Sequence, residues 1–448
     1  MPGAVTRCFT QASGRLKPLV LEQLRAWVGN LRPRRIVLKP NWVLHETDPI
    51  FPIRALVTDA RVIEAAVEAC LEIFPQAESI LVADCPLQSA DWPRLCEQSG
   101  LVPVMERLLQ AGRGKVAFRD LRQEVYQQAE GTFLTASHAE HGDPRGYCEI
   151  ELGARSHLEP ISRQADRFAV NDYSLAVTRS NHRLGSHRYL VSQSILEADL
   201  FINLPKWKSH GKAGLTGALK NLVGINGDKA YLPHFRRGAP CWGGDEYADD
   251  GRWLYWAQTT LREAVQKRSR LAYKLLKPGW ECLKRMRGLE TRMSDRSATP
   301  KRFYAAGGAW HGNQTLWRMI FDLNLLLQCA DASGRMTDQP TRHYLCLVDG
   351  LVSGEGNGPL QPLPRETDWL LVGDDPFALD AALAWFMGFD PNKLPILAHR
   401  GEYAGPNWGD FDLNELAVEL DGQKLKLLAS PLNFRFASPP GWRNHLER

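Results

Sequence analysis

The chain has 448 residues, 44% of them hydrophobic and 24% charged, which is the make-up of an ordinary globular protein with room for two or three domains. A formal net charge of +4 gives no global case for nucleic acid, so no specific nucleic-acid partner is expected. A run of about 18 apolar residues, the length a spanning helix needs, occurs nowhere. Met1 to Pro18 carries no apolar core of signal-peptide length, so a cytoplasmic location is expected. The nine cysteines are odd in number, widely spread and free of Cys-x-x-Cys pairs, the pattern of reduced thiols.

In chain order, Arg35 to Lys39 reads as a short apolar strand ending in Pro40-Asn41-Trp42, followed by a helix around Asp59 to Ile73. Ser79 to Ala83 is a second strand ending in Asp84. A helix around Pro93 to Ala111 and a strand near Val116 to Phe118 continue the alternation. This pattern predicts an α/β fold, with a mainly parallel sheet flanked by helices. Ligands in such sheets collect beyond the carboxyl ends of the strands, where Lys39, Asn41 and Asp84 stand. Asn181 to His187 reads as a polar, exposed loop carrying two surface histidines, His182 and His187.

The stretch Ala198 to Asn221 is the centre of the chain. Leu200 to Leu204 reads as a buried strand. Lys206, Lys208 and His210 then recur at every second residue and would share one side of an extended backbone. Gly211, Gly214 and Gly217 lead into a helix start at Ala218-Leu-Lys220-Asn221. A strand, a glycine-bearing loop and a helix N-terminus would make an anion site, because free N–H groups and the helix dipole favour negative charge.

Past this stretch, residues 251–302 read as helical, basic and aromatic. From Arg262 to Arg302 there are 13 Lys/Arg against 4 Asp/Glu, a local net of +9, leaving −5 for all other residues. The organisation predicted is a first part of the α/β core over 1–234, a helical basic insertion over 235–312, and a second part of the core over 313–448. Ile320 to Ala330 is a predicted helix, Tyr344 to Val348 a strand ending in Asp349-Gly350, and Gly354 to Pro359 a glycine-dense loop. Trp369 to Val372 is a further strand, Asp375-Pro376 opens a helix carrying Asp380, and Leu416 to Leu428 is a hairpin turning at Asp421-Gly422.

The order of these signatures resembles the family catalogued as domain of unknown function 362. The matching pieces are Leu38 to Asn41, Val82 to Asp84, Ala198-Asp199 with Ile202 to His210, and Thr216 to Gly224. They continue with Val348 to Gly350, Glu355 to Pro359, Asp375 to Asp380 and Met387-Gly388. Some members carry an appended ferredoxin-like module; this chain lacks that cysteine spacing, so no iron–sulfur cluster is expected. Separately, His210, the glycines that follow it and Lys220 are similar to the nickel-pincer lactate racemases. In that family the lysine holds a pyridinium-derived cofactor and histidines ligate nickel or carry protons.

Chemically, Lys206, Lys208 and Lys220 favour carboxylate or phosphate, and His210 is the natural general acid/base. His210, Lys220 and Glu355 are therefore the expected catalytic residues. Lys39, Asn41, Lys206, Lys208, Gly214, Gly217 and Asn221 are the expected ligand-binding residues. Asp349 and Asp380 are candidates for a divalent cation, the cofactor being otherwise unknown. The function expected is an enzyme acting on a small anionic metabolite or an activated carbohydrate intermediate. The alternative is a non-catalytic binding protein for an anionic ligand or polymer. The interleaved Trp, Tyr, Lys and Arg of 253–302 suit an anionic membrane surface or polymer, and hence a peripheral membrane location; the competing use is a helical pair packed on the body.

Overall fold

The computed structural model describes residues 6–128, 134–138, 142–171, 173–248, 279 and 307–448. The basic segment 253–302 lies outside the described residues apart from residue 279.

Eleven strands form the main sheet: β1 Thr6–Phe9, β2 Arg35–Pro40, β3 Ser79–Asp84, β4 Val116–Asp120, β5 Leu200–Leu204, β6 Lys206–His210, β7 Gly214–Thr216, β8 His343–Asn357, β9 Gln361–Gly373, β10 Ala417–Leu420 and β11 Gln423–Lys426. Their order is β11-β10-β1-β9-β8-β5-β2-β3-β4, with β6 and β7 branching from β8. The run β8-β5-β2-β3-β4 is parallel throughout, whereas β9 is antiparallel to both β8 and β1. The fold is thus α/β, with a large mixed, mostly parallel sheet flanked by helices.

Alternation along the central strands divides the core between the two faces of the sheet. Val37, Phe201, Cys346 and Val348 join one cluster with helices Leu316–Cys329 and Pro376–Met387. Ile36, Leu38, Leu200, Ile202, Leu204, Leu345 and Leu347 join the other, with helices Leu16–Val28, Ala60–Ile73 and Leu101–Gly112. All five residues of β5 are buried, as an interior strand covered on both faces requires.

Several elements differ from the sequence expectation. The single helix expected over 93–111 is two, Trp92–Gln98 and Leu101–Gly112, because Gly100 turns left-handed at φ +70° between them. The loop expected over 354–359 is largely strand: β8 runs on to Asn357, paired with β9. Its glycines serve close approach, since a Cβ on Gly354 would meet Lys208 Cβ at 2.8 Å. His182 and His187 are not surface residues but fully buried, with their Nδ1 atoms 3.3 Å apart; the flanking strands fold inward to place them against Tyr231 O and Glu159. The hairpin turns as expected at Asp421 and Gly422, both at positive φ.

Candidate functional site

The strand β6 leaves β5 after Pro205 and lies beside β8, so its side chains meet what β8 carries. Lys206 Nζ is 2.8 Å from Asp349 Oδ2, both side chains fully buried. Asp349 also accepts from the N–H of Asp59 at 2.7 Å and of Leu351 at 3.0 Å, so its carboxylate is filled by the protein. Lys208 is equally buried, and among the described residues its amine donates to the Leu56 carbonyl alone. Burial, with Lys206 and Lys220 nearby, pulls its pKa well below the lysine range. His210 accepts the N–H of Lys212 at 3.0 Å and of Ala213 at 3.1 Å on Nδ1. The neutral ring therefore carries its proton on Nε2. Burial and then Lys220, Lys212 and Lys208 hold the imidazolium form well below its usual pKa.

The helix expected at Thr216–Gly217 is one turn, Ala218–Asn221, and its N-terminus is not free. Asp380 accepts from the N–H of Ala218 at 2.6 Å and of Leu219 at 3.1 Å. A Cβ on Gly217 would sit 2.1 Å from Asp380 Oδ1, so that glycine makes room for the carboxylate. The protein's own anion thus occupies the place the sequence reserved for a ligand. Gly214, at φ +80°, is pressed by Leu394 and Trp442, so it too shapes the loop and faces protein. Burial pushes the Asp380 carboxyl up to about 7.

The same turn is pinned from its other sides. Asn203 Nδ2 donates to Ala218 O at 2.9 Å, and Asn324 Nδ2 to Leu219 O at 3.1 Å. Asn221 links three strand ends: its Nδ2 donates to Asn203 Oδ1 at 2.8 Å and to Lys39 O at 3.2 Å, and its Oδ1 accepts from Asn41 Nδ2 at 2.9 Å. Lys220 is fixed by this framework, yet its side chain has no hydrogen bond or ion pair among the described residues. It keeps a partly exposed surface. Burial of its amine, with Lys229, Lys212 and Lys39 close by, lowers its pKa to about 7.

Around Lys220 the structure gathers more cations than the sequence motif named. Lys39 Nζ pairs with Asp84 Oδ1 at 2.8 Å, and Gly224 packs directly on that pair. Lys229 Nζ is buried against the Val223 and Asn226 carbonyls at 3.0 and 3.4 Å, with Asp84 and Asp228 in electrostatic range. Lys212 lies over the Phe235 ring at 5.3 Å. His234 donates from Nδ1 to Leu232 O at 2.8 Å, leaving Nε2 as a bare acceptor. Lys39, Lys208, Lys229 and His210 form a buried floor, while Lys212, Lys220 and His234 are partly exposed. Lys212 lies within the stretch Ala198 to Asn221, and Lys229 and His234 follow it closely, with no local pattern to mark them.

Three expected members stand elsewhere or are already engaged. Glu355 Oε2 accepts from Ala437 N at 3.0 Å and faces Arg365 at 3.5 Å, alongside Phe436 and Trp207. Trp207 alternates with Lys206 and Lys208 along β6, which places Glu355 on the other face of the sheet. Asp349 is committed to Lys206, and Asp380 to backbone. Among the described residues no group of three or more His, Cys, Asp or Glu is arranged to hold a metal ion, and no helix is long and apolar enough to cross a membrane.

A model of the family described as domain of unknown function (DUF362) matches residues 115–385, more than half the chain. A thylakoid-associated protein of Synechocystis sp. is 39% identical over 97 residues, covering 20% of this chain and 29% of that relative. The match therefore spans less than a third of the relative's length. A crystal structure of a protein from Thermotoga maritima aligns over 79% of this chain and 53% of its own, at 10% identity and a TM-score of 0.33.

Proposed function

The chain belongs to the DUF362 family, and we propose that its lysine cluster binds a small anionic metabolite, a carboxylate or phosphate, and acts on it chemically. The observation that carries this reading is the Lys220 amine, which has no hydrogen-bond or ion-pair partner among the described residues although Lys39, Lys212 and Lys229 crowd it. Burying cations without counter-charge is unfavourable, and an entering anion would offset that directly. The buried floor supplies charge and the half-exposed Lys212, Lys220 and His234 supply the entrance. Lys220, with a pKa of about 7, is the group poised to exchange a proton near neutral pH. His210, held neutral with its proton on Nε2, is a fixed hydrogen-bond donor beside Lys220.

Thermal unfolding with inorganic phosphate and with oxalate, at low ionic strength, tests the binding half. An anion present at 100 times its Kd adds about 2.7 kcal/mol to folding stability. Lys220→Met should remove most of that gain. Equal unfolding temperatures with and without either anion would overturn the proposal.

Peripheral attachment to an anionic membrane through 253–302 is a second reading, favoured by the net of +9 over Arg262–Arg302. The thylakoid association named for the Synechocystis relative accords with it. Each Lys or Arg near an anionic surface contributes about 1 kcal/mol. Co-sedimentation with phosphatidylserine vesicles should exceed that with neutral vesicles and fall with salt; equal pelleting removes this reading.

A further inference from the structure

We propose that Lys220 is a nucleophile that captures an aldehyde or ketone carbon of the bound anion as an imine, so that the substrate class is a small carboxylate or phosphate ester bearing a carbonyl group. This rests on the anion-site reading above and narrows it.

Three features of the geometry point here. First, the amine of Lys220 has no partner among the described residues, whereas Lys206 is bound to Asp349, Lys39 to Asp84, Lys208 to Leu56 O and Lys229 to two carbonyls. Second, its backbone is held on both sides, because Asp380, Asn203 and Asn324 bind the two residues before it and the next residue, Asn221, is tied to Asn203, Asn41 and Lys39 O. A binding lysine needs only reach, whereas a nucleophile needs a fixed approach. Third, its surroundings favour the neutral, nucleophilic amine, since a lysine beside other cations in a desolvated pocket gives up its proton readily. The pKa of about 7 accords with that. The same cations would attract the carboxylate or phosphate of the substrate, placing the carbonyl against the amine.

The step balances without an added reagent. The lone pair of the Lys220 nitrogen forms the C–N bond as the carbonyl π pair moves onto oxygen. One amine proton passes to that oxygen through a neighbouring base, for which His234 Nε2 is available, giving the carbinolamine. The C–O bond then breaks, the hydroxyl leaves as water with the second amine proton, and the C=N bond remains. The Nε2–H of His210 is a donor for the oxygen on which charge develops.

The test uses the full chain at pH 7 and low salt, with glyoxylate as the carbonyl-bearing probe, cyanoborohydride as the trap and oxalate as the anion lacking a carbonyl. An ordinary lysine, with a pKa near 10.4, is neutral in roughly one molecule in 2,500 at pH 7. Lys220 should therefore label at least tenfold faster than any other lysine, as a single reduced adduct located by peptide mass mapping. Lys220→Arg should abolish that adduct, and Lys220→Met serves the same purpose should the arginine variant fail to fold. Oxalate should slow the labelling. If oxalate stabilises the protein but glyoxylate labels lysines indiscriminately, the imine is overturned while the anion site stands. If oxalate neither binds nor protects, both fall.

Discussion

The two lysines at the ends of the 206–220 stretch have opposite electrostatic settings. Lys206 reaches across to β8 and meets Asp349, whose remaining lone pairs are filled by Asp59 N and Leu351 N. Every charge there is answered from within the chain, and the pair is sealed from water. At Lys220 the neighbours are Lys39, Lys212 and Lys229, and the nearest carboxylate, Asp84, is already tied to Lys39. One region balances its charges within the chain; the other gathers cations around a carboxylate already paired with Lys39. A sequence of spaced lysines does not distinguish the two, because the distinction lies in what the opposing strand brings.

The largest effect should come from breaking the balanced region. Lys206→Met leaves the Asp349 carboxylate buried without its cation, and should destabilise the fold by about 3–5 kcal/mol in chemical denaturation. Joining it with Asp349→Leu should recover much of that loss. A loss below about 1 kcal/mol for the single variant would mean the pair is not sealed.

Asp380 comes next, because it holds the turn on which Lys220 sits. Asp380→Ala leaves the buried N–H groups of Ala218 and Leu219 without an acceptor, which costs about 1–3 kcal/mol. Its pKa also predicts a pH signature. The carboxyl protonates near 7 in the folded protein and near 3.9 when unfolded, so the folded state holds the extra proton between those values. Its contribution to stability is therefore full below about pH 4 and is lost as pH rises toward 7. Asp380→Asn should remove that slope, which pH-dependent denaturation would register against the wild type.

Lys220 should behave in the reverse sense. Its folded pKa of about 7 lies below the unfolded value near 10.4, so the folded state binds fewer protons between them. Its destabilising contribution is largest below pH 7 and fades by about pH 10. Lys220→Met should therefore be neutral or stabilising by about 1 kcal/mol at pH 6, with no gain above pH 10. The same variant should bind oxalate at least tenfold more weakly. Lower stability at pH 6 would show that Lys220 is a structural lysine like Lys206.

Much of the frame was legible because period and punctuation reflect forces acting along the chain. The apolar run of β5, the Asp59 cap on helix Ala60–Ile73 and the Asp421-Gly422 turn all appear where local residue preference puts them. The site was legible only in part. Lys39, Asn41, Asn221, His210 and Lys220, which the sequence singles out because each follows a strand or its loop, lie close together around the one-turn helix. Lys229 and His234 were not assigned, since nothing local marks a lysine whose importance comes from neighbours distant in sequence. Asp380 reads from the sequence as a candidate cation ligand, but its partner is backbone, and backbone donors leave no trace in the residue pattern. The glycines misled most: Gly214, Gly217 and Gly354 give passage to Leu394, Asp380 and Lys208, with protein occupying the space a ligand would need.

Glu355 offers the smallest effect and the sharpest check on where the site ends. It belongs to the same motif series as Lys206 and His210, yet its carboxylate faces Arg365 and Ala437 N across the sheet from the lysines. Arg365 is only partly buried and 3.5 Å away, the kind of pair that contributes about 0–1 kcal/mol. Glu355→Gln keeps an acceptor for Ala437 N and removes only the charge. Stability should fall by less than about 1 kcal/mol, and oxalate affinity should stay within twofold of the wild type. Among the described residues Glu355 shares no hydrogen bond or ion pair with the turn that carries Lys220. A tenfold change in oxalate affinity, measured by calorimetry at constant pH, would mean that β8 transmits the charge of Glu355 to the lysines, and the boundary between the two regions would have to be redrawn around that strand.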